Sequence, residues 1–290
     1  MDNHVVKSFF DPGTWTYSYV VYSSRDLHCV IIDPVLNFQQ ESGHITYESA
    51  DELLNFIRSE RLVVDYILET HAHADHLSAG HYIQEETTAP IAIGEKITEV
   101  QKVFKSIFNF SHDFPTDGSD FNYLLKDKDV LNFGELSLEV LSVPGHTPAC
   151  MAYKIGDTIF VGDTLFMPDV GTARCDFPGG DAKQLYHSVQ KILSYPDDTL
   201  LYLCHDYPPP NRQTLQHKST VKEQKEKNIH LHSGVSETEF VTIRNNRDKT
   251  LTLPKLIFPA IQLNIRAGKI PTPESNGVSY LKIPLMNSRC

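Results

Sequence analysis

Residues 71–76, inside the stretch LETHAHADHLSAG, place three histidines and an aspartate (His71, His73, Asp75 and His76) within six positions. Three imidazoles this close resist protonation, because each added charge repels the next, and their lone pairs need a cation to organise them. Burying a core calls for no such density of ligand atoms. A chain with this run must fold so that the run lies in a loop facing a metal ion. The flanks agree: VVDYILET, residues 63–70, reads as a buried strand, and LSAGHYIQEETTA, residues 77–89, reads as a helix.

Further ligand-type residues stand in the same kind of place. His146 in VPGHTPAC, Asp163 in FVGDTLF and His205 in LYLCHDY each end an apolar, strand-like run. Strand ends in a layered fold can share one edge, so these loops are expected to converge with residues 71–76. Imidazole with carboxylate suits zinc, iron or manganese. Asp33, Thr147 and Asp206 are polar neighbours expected to orient ligands rather than bind metal. His4, His28, His44, His81, His112, His187, His217, His230 and His232 have no such context and read as surface or satisfied core residues.

Elsewhere the pattern gives strands at 17–23 and 28–34 and a helix over 49–62, opened by a Ser49/Glu52 capping box. A strand at 90–95 and a helix at 97–110 close the first half. Strands at 136–145, 151–156 and 157–166, a helix at 181–195 and a strand at 199–207 form the second. Two such halves predict two sheets with helices outside, a core domain over about 5–210. Residues 211–290 read as an extension packed on that core, with one helix capped by Ser236 and Glu239 and little periodicity in the last fifty residues.

A formal charge of −11 argues against a nucleic-acid partner, which needs a basic face. No run reaches the roughly 18 apolar residues that span a bilayer, and the first residues carry no signal-peptide pattern. The five cysteines form no CxxC pair, as expected of reduced thiols in a cytoplasmic protein. Cys29 and Cys204 sit in apolar runs and read as core, and Cys150 is expected to pack beneath the site.

THAHADH, GHT, GDTLF and CHDY, with Asp33 ending an early strand, resemble the metallo-β-lactamase superfamily. That resemblance implies an α+β chain folded as an αββα sandwich, two mixed β-sheets flanked by helices, with metal at the sheet edges. GTARCDFPGGDAKQLYHSV and NIRAG are similar to its persulfide dioxygenase branch, and residues 234–271, GVSETEF to AGKIP, to bacterial β-lactamase hydrolase-like proteins.

Carried onto this sequence, the dioxygenase pattern implies one Fe(II) per chain on His71, His146 and Asp163. His73, Asp75, His76 and His205 would stand behind it, and glutathione persulfide or another small thiol would be the substrate. The related glyoxalase II pattern implies instead two Zn(II) ions: His71, His73 and His146 on one, Asp75, His76 and His205 on the other, and Asp163 bridging, for thioester hydrolysis. Arg174, Tyr207 and Arg266 are the candidate substrate contacts, Arg174 alternatively forming an ion pair with Asp176. A second copy of the chain, in a homodimer, is the expected protein partner.

Overall fold

The central strands of this chain are apolar on both sides, and the fold covers both. The computed structural model describes residues 4–285; Cys290 lies outside them. Its first half holds β1 (His4–Asp11), β2 (Thr16–Ser23), β3 (His28–Ile32), β4 (Val35–Gln39), β5 (His44–Thr46), α1 (Glu48–Glu60), β6 (Val63–Leu68), β7 (Leu77–Ser78), α2 (Gly80–Thr87), β8 (Ile91–Gly94), α3 (Ile97–Ile107) and β9 (Tyr123–Leu125). Then follow β10 (Val130–Phe133), β11 (Leu136–Ser142), β12 (Met151–Ile155), β13 (Thr158–Phe160), a 3-10 turn (Gly162–Thr164), α4 (Ala182–Leu193), β14 (Leu200–Tyr202), β15 (Lys218–Thr220), α5 (Val221–Lys227), α6 (Glu237–Asp248) and α7 (Ile257–Asn264).

One six-stranded sheet runs β1-β2-β3-β6-β8-β9 and the other β10-β11-β12-β13-β14-β15, with a small β5-β4-β7 sheet beside them. Both large sheets mix parallel and antiparallel pairs. Side chains alternate across a strand, and here the alternate residues enter different cores. Tyr19, Val30, Leu68, Val140, Tyr153 and Phe160 meet between the sheets. Their neighbours Val20, Ile31 and Ile67 face outward under the α1, α2, α3 and α7 side. On the opposite outer face Leu141, Ala152, Ile159 and Leu201 lie under residues of α4, α5 and α6. The result is the αββα sandwich. Among the described residues no helix is long and apolar enough to cross a membrane.

Three local expectations are corrected. The first helix begins at Glu48 with Tyr47 before it and no side-chain cap, so Ser49 is not the capping residue. Ser49 instead takes its partners from other strands: its N–H donates to Asn37 Oδ1 at 2.8 Å and its Oγ to Asp11 Oδ1 at 3.1 Å. The helix expected from residue 77 starts at Gly80, because Leu77 and Ser78 pair with Leu36 and Val35 as a short strand. The second sheet also runs past residue 210, through β15.

The C-terminal extension packs on both helical layers. Helix α6 carries the expected Ser236/Glu239 capping box and buries Phe240 in the outer core of the second sheet. Helix α7 buries Ile257, Ala260, Ile261 and Leu263 in that of the first. It shows no amphipathic period because seven of its eight residues are buried, and a helix covered all round needs no polar face. Pro259 falls in its first turn, where a missing N–H is harmless.

Buried Arg244 on α6 pairs with Asp248 at 2.7 Å and donates to Thr172 O at 2.9 Å. Asp248 Oδ2 accepts from Cys175 N–H, and His230 Nδ1 accepts from Thr172 N–H at 3.0 Å. Burial, then Arg244 and Arg247, push the His230 imidazole down to about 4. Its unfolded value is near ~6.5, so its contribution to stability is complete above that pH and is lost as pH falls toward about 4. His230→Asn, which keeps an acceptor but does not titrate, is expected to flatten the fall in urea midpoint between pH 7 and pH 4.5 relative to wild type.

Candidate metal centre

Four loops at strand ends carry the ligand-type residues. Residues 69–76 follow β6, His146 follows β11, Asp163 sits in the 3-10 turn after β13, and His205 follows β14. Asp33, just after β3, holds the first of these loops: its Oδ1 accepts from Thr70 N–H at 2.7 Å and its Oδ2 from the Thr70 hydroxyl at 2.8 Å. Asp33 adopts φ +49, a left-handed conformation that Asp tolerates better than most residues. Tyr17 N–H donates to Cys204 O at 2.7 Å, and Thr16 pairs with His205, so the start of β2 stitches the second sheet to the first beside the site.

The side chains converge. His71 Nε2 and His146 Nε2 lie 3.7 and 3.6 Å from Asp163 Oδ2. His205 Nε2 lies 3.3 Å from Asp163 Oδ1 and 3.2 Å from Asp75 Oδ2. Ring centroids of His71 and His73 are 3.9 Å apart, and those of His73 and His76 are 4.1 Å apart.

Four of the five imidazoles have one nitrogen held by a hydrogen bond. Thr70 Oγ1 has given its hydrogen to Asp33, so it accepts from His71 Nδ1 at 3.0 Å. His146 Nδ1 donates to Arg174 O at 2.7 Å, and His76 Nδ1 to Leu77 O at 3.2 Å. His205 Nδ1 contacts Thr16 Oγ1 at 3.2 Å. His73 is the exception: its Nε2 lies 3.0 Å from Asp33 Oδ1, yet neither ring nitrogen makes a hydrogen bond. Left without a hydrogen-bond partner are His71 Nε2, both nitrogens of His73, His76 Nε2, His205 Nε2 and Asp163 Oδ1, all buried. A buried unsatisfied polar atom costs about 1–3 kcal/mol, and several pointing together fit a bound cation. His71, His73 and Asp163 offer ligand atoms within 4.8 Å of one another, as do His73, His76, Cys204 and His205.

Electrostatics favour the same occupant. Burial, then neighbouring imidazoles, hold His71 and His73 well below the usual histidine range, so both rings are neutral at pH 7. Burial, then Asp75 and Asp33, raise Asp163 well above the usual carboxylate range. A cation among these groups would reinforce the first shift, keeping the imidazoles neutral, and oppose the second, favouring an ionised Asp163. Behind His73, burial also raises Asp33 to about 6 and pushes Glu69, which accepts from Ser78 Oγ, well up.

The centre opens on one side into a cavity of about 1320 Å³. His146, Asp163 and Asp75 reach it, whereas His71, His73, His76 and His205 are buried and do not line it. Trp15, Phe166, Phe177 and Tyr207 supply aromatic wall; Arg174, Arg247 and Lys255 line one flank and Asp11, Glu48 and Glu52 another.

The candidate substrate contacts separate. Arg174 lines the cavity but is engaged, its Nε and Nη2 donating to Asp176 at 2.6 and 2.7 Å and its Nη1 to Thr252 O. Tyr207 donates to Asp75 Oδ2 at 2.9 Å and stacks on His205. Arg266 is corrected: it does not line the cavity, and its guanidinium lies 4.8 and 4.6 Å from the Phe110 and Phe114 rings. Thr147 orients no histidine; its N–H and hydroxyl contact Cys150 Sγ at 3.3 and 3.1 Å. Asp206 acts through a bidentate pair with Arg212, both contacts at 2.6 Å, beside His205. Sequence reading missed Arg212 and also Trp15, Arg247 and Lys255, none of which carries a motif.

Comparison with known proteins places the chain. Residues 13–205 match the metallo-beta-lactamase superfamily, and the chain belongs to it. A Burkholderia pseudomallei protein named "Probable metallo-hydrolase" is 49% identical over 97% of this chain and 98% of its own length. Human mitochondrial persulfide dioxygenase ETHE1 is 31% identical over 93% of this chain and 90% of its own length. The crystal structure of ETHE1 from Myxococcus xanthus superposes with a TM-score of 0.72, at 30% identity, covering 91% of this chain and all of that one.

Cys29, Cys150, Cys175 and Cys204 are free and buried. Burial raises all four thiols, Cys29 and Cys150 to about 12. A thiol held protonated is a poor nucleophile. At pH 8 the native protein is expected to leave these four unmodified by iodoacetamide, and urea to expose them, as read by peptide mass spectrometry.

Proposed function

We propose that this chain is an iron-dependent persulfide dioxygenase, converting glutathione persulfide, O₂ and water to glutathione and sulfite, with one ferrous ion on His71, His146 and Asp163. The observation that carries the reading is the meeting of two imidazoles at one carboxylate oxygen beside the cavity. His71 Nε2 and His146 Nε2 lie 3.7 and 3.6 Å from Asp163 Oδ2, and His146 and Asp163 line the cavity. Two histidines and one carboxylate match the facial arrangement of non-heme iron oxygenases; a ferrous ion held there would supply electrons and open positions for O₂ and sulfur. The human and Myxococcus xanthus relatives named ETHE1 support it.

The chain's own residues then bind and orient. Glutathione persulfide carries two carboxylates and one ammonium. Arg174, Arg247 and Lys255 on one flank suit the carboxylates, and Asp11, Glu48 and Glu52 on another suit the ammonium. These basic side chains give an anionic substrate local partners in a chain of net charge −11. The Arg174 carbonyl fixes the His146 ring, so one residue both walls the cavity and sets a ligand's tautomer. Tyr207 holds Asp75, and the aromatic wall limits water at the reacting end.

A second reading, a dinuclear zinc hydrolase of glutathione thioesters, is favoured by one feature of Asp163. Its Oδ2 faces His71 and His146 while its Oδ1 faces His205, one oxygen toward each half of the site. The 49% identical metallo-hydrolase points the same way.

Anaerobically purified protein is expected to hold about one iron and little zinc, and to consume O₂ with glutathione persulfide. His71→Ala, His146→Ala and Asp163→Ala are each expected to lower iron retention and O₂ uptake by more than ~100-fold, beyond what loss of a supporting contact does. Two zincs per chain with thioester cleavage and no O₂ uptake overturns the reading in favour of the second.

A further inference from the structure

The loop carrying His73 and His76 is pinned from the far end of the chain. After Glu69 and Thr70 bond to Ala92 and Met151, residues 71–76 make no backbone–backbone hydrogen bond among the described residues, yet a buried carbonyl needs a donor. Asn264, the last residue of α7, is buried and reaches that loop. Its Nδ2 donates to His73 O and to His76 O, both at 2.8 Å, and its Oδ1 accepts from Ser78 N–H at 2.8 Å. Both amide hydrogens and one carbonyl lone pair are thus spent on the backbone of a single loop.

Helix α7 is itself locked at that end. Gln101 Nε2 donates to Ile265 O at 2.9 Å, and Gly268 N–H closes the helix onto Leu263 O at 3.0 Å. Gly268 adopts φ +81, and a Cβ there would stand 2.6 Å from Ser78 O, so only glycine admits this approach. Within NIRAG, residues 264–268, each end therefore has a mechanical part: Asn264 holds the loop and Gly268 lets the helix end meet it. Residues 264–268 lie outside the matched residues 13–205.

We propose that Asn264 is a positioning residue of the metal centre: by fixing the His73 and His76 main chain from α7, it makes metal affinity depend on the C-terminal extension. The proposal rests on the metal site of the proposed function, not on which reaction that site performs. Asn264→Asp preserves size and the acceptor but sets a carboxylate oxygen against two carbonyls. Asn264→Ser removes the bonds with less electrostatic cost. Ile261→Ala, in the core of the same helix, destabilises without touching the loop.

The test measures Co(II) affinity by chelator competition and the visible d–d spectrum of the Co(II) protein, beside the melting temperature of the metal-free protein. Both Asn264 variants are expected to bind Co(II) about 10–100-fold more weakly with an altered spectrum. Ile261→Ala is expected to melt lower with affinity and spectrum unchanged. Wild-type affinity in a folded Asn264 variant overturns the proposal. So does an equal loss in Ile261→Ala, or a failure of Asn264→Ser to fold, either of which reduces Asn264 to general structure. Absence of Co(II) binding by the wild type would instead sink the metal reading itself.

Discussion

Dry, bare imidazole nitrogens are the constraint on which this structure turns. His71, His73, His76 and His205 each keep an unpartnered ring nitrogen where solvent does not reach, and Asp163 adds an unpartnered oxygen. A protein rarely leaves such atoms in its interior, and five aimed at one another describe a place for a cation. Protonation is no escape for His71 and His73, because burial and neighbouring rings oppose it. The four layers exist, from this viewpoint, to bring the ends of β6, β11, β13 and β14 to one edge.

Holding the ligands takes residues scattered over the whole chain. Asp33 steadies Thr70, which fixes His71, and also faces His73. Thr16, from the start of β2, meets His205, and the Arg174 carbonyl meets His146. Arg212 clamps Asp206 next to His205. Such supporting contacts set ring orientation and tautomer, and a metal site is only as well defined as they are. Glu69, buried near Asp33 and taking a hydrogen from Ser78, shows how much polar material lies packed beneath this floor.

What could be read from the sequence was whatever a local pattern encodes. The order of strands and helices in two halves announced two sheets with helices outside, the 71–76 run announced a metal-binding group, and Ser236 with Glu239 announced a helix start that the fold keeps. Other features are set by distant partners. Ser49 has the spacing of a cap, yet Asn37 and Asp11 claim it first. Helix α7 lacks a polar face because the core surrounds it. Arg266 sits in a motif but turns toward two phenylalanines. No spacing rule links Asn264 to a loop nearly two hundred residues earlier.

The most direct test is anomalous diffraction at the iron edge, on crystals grown anaerobically with ferrous iron. A strong peak about 2.0–2.2 Å from His71 Nε2, His146 Nε2 and an Asp163 oxygen is the predicted result. An iron-replete crystal with no peak there, or with those side chains turned away from the iron it does bind, would contradict the account.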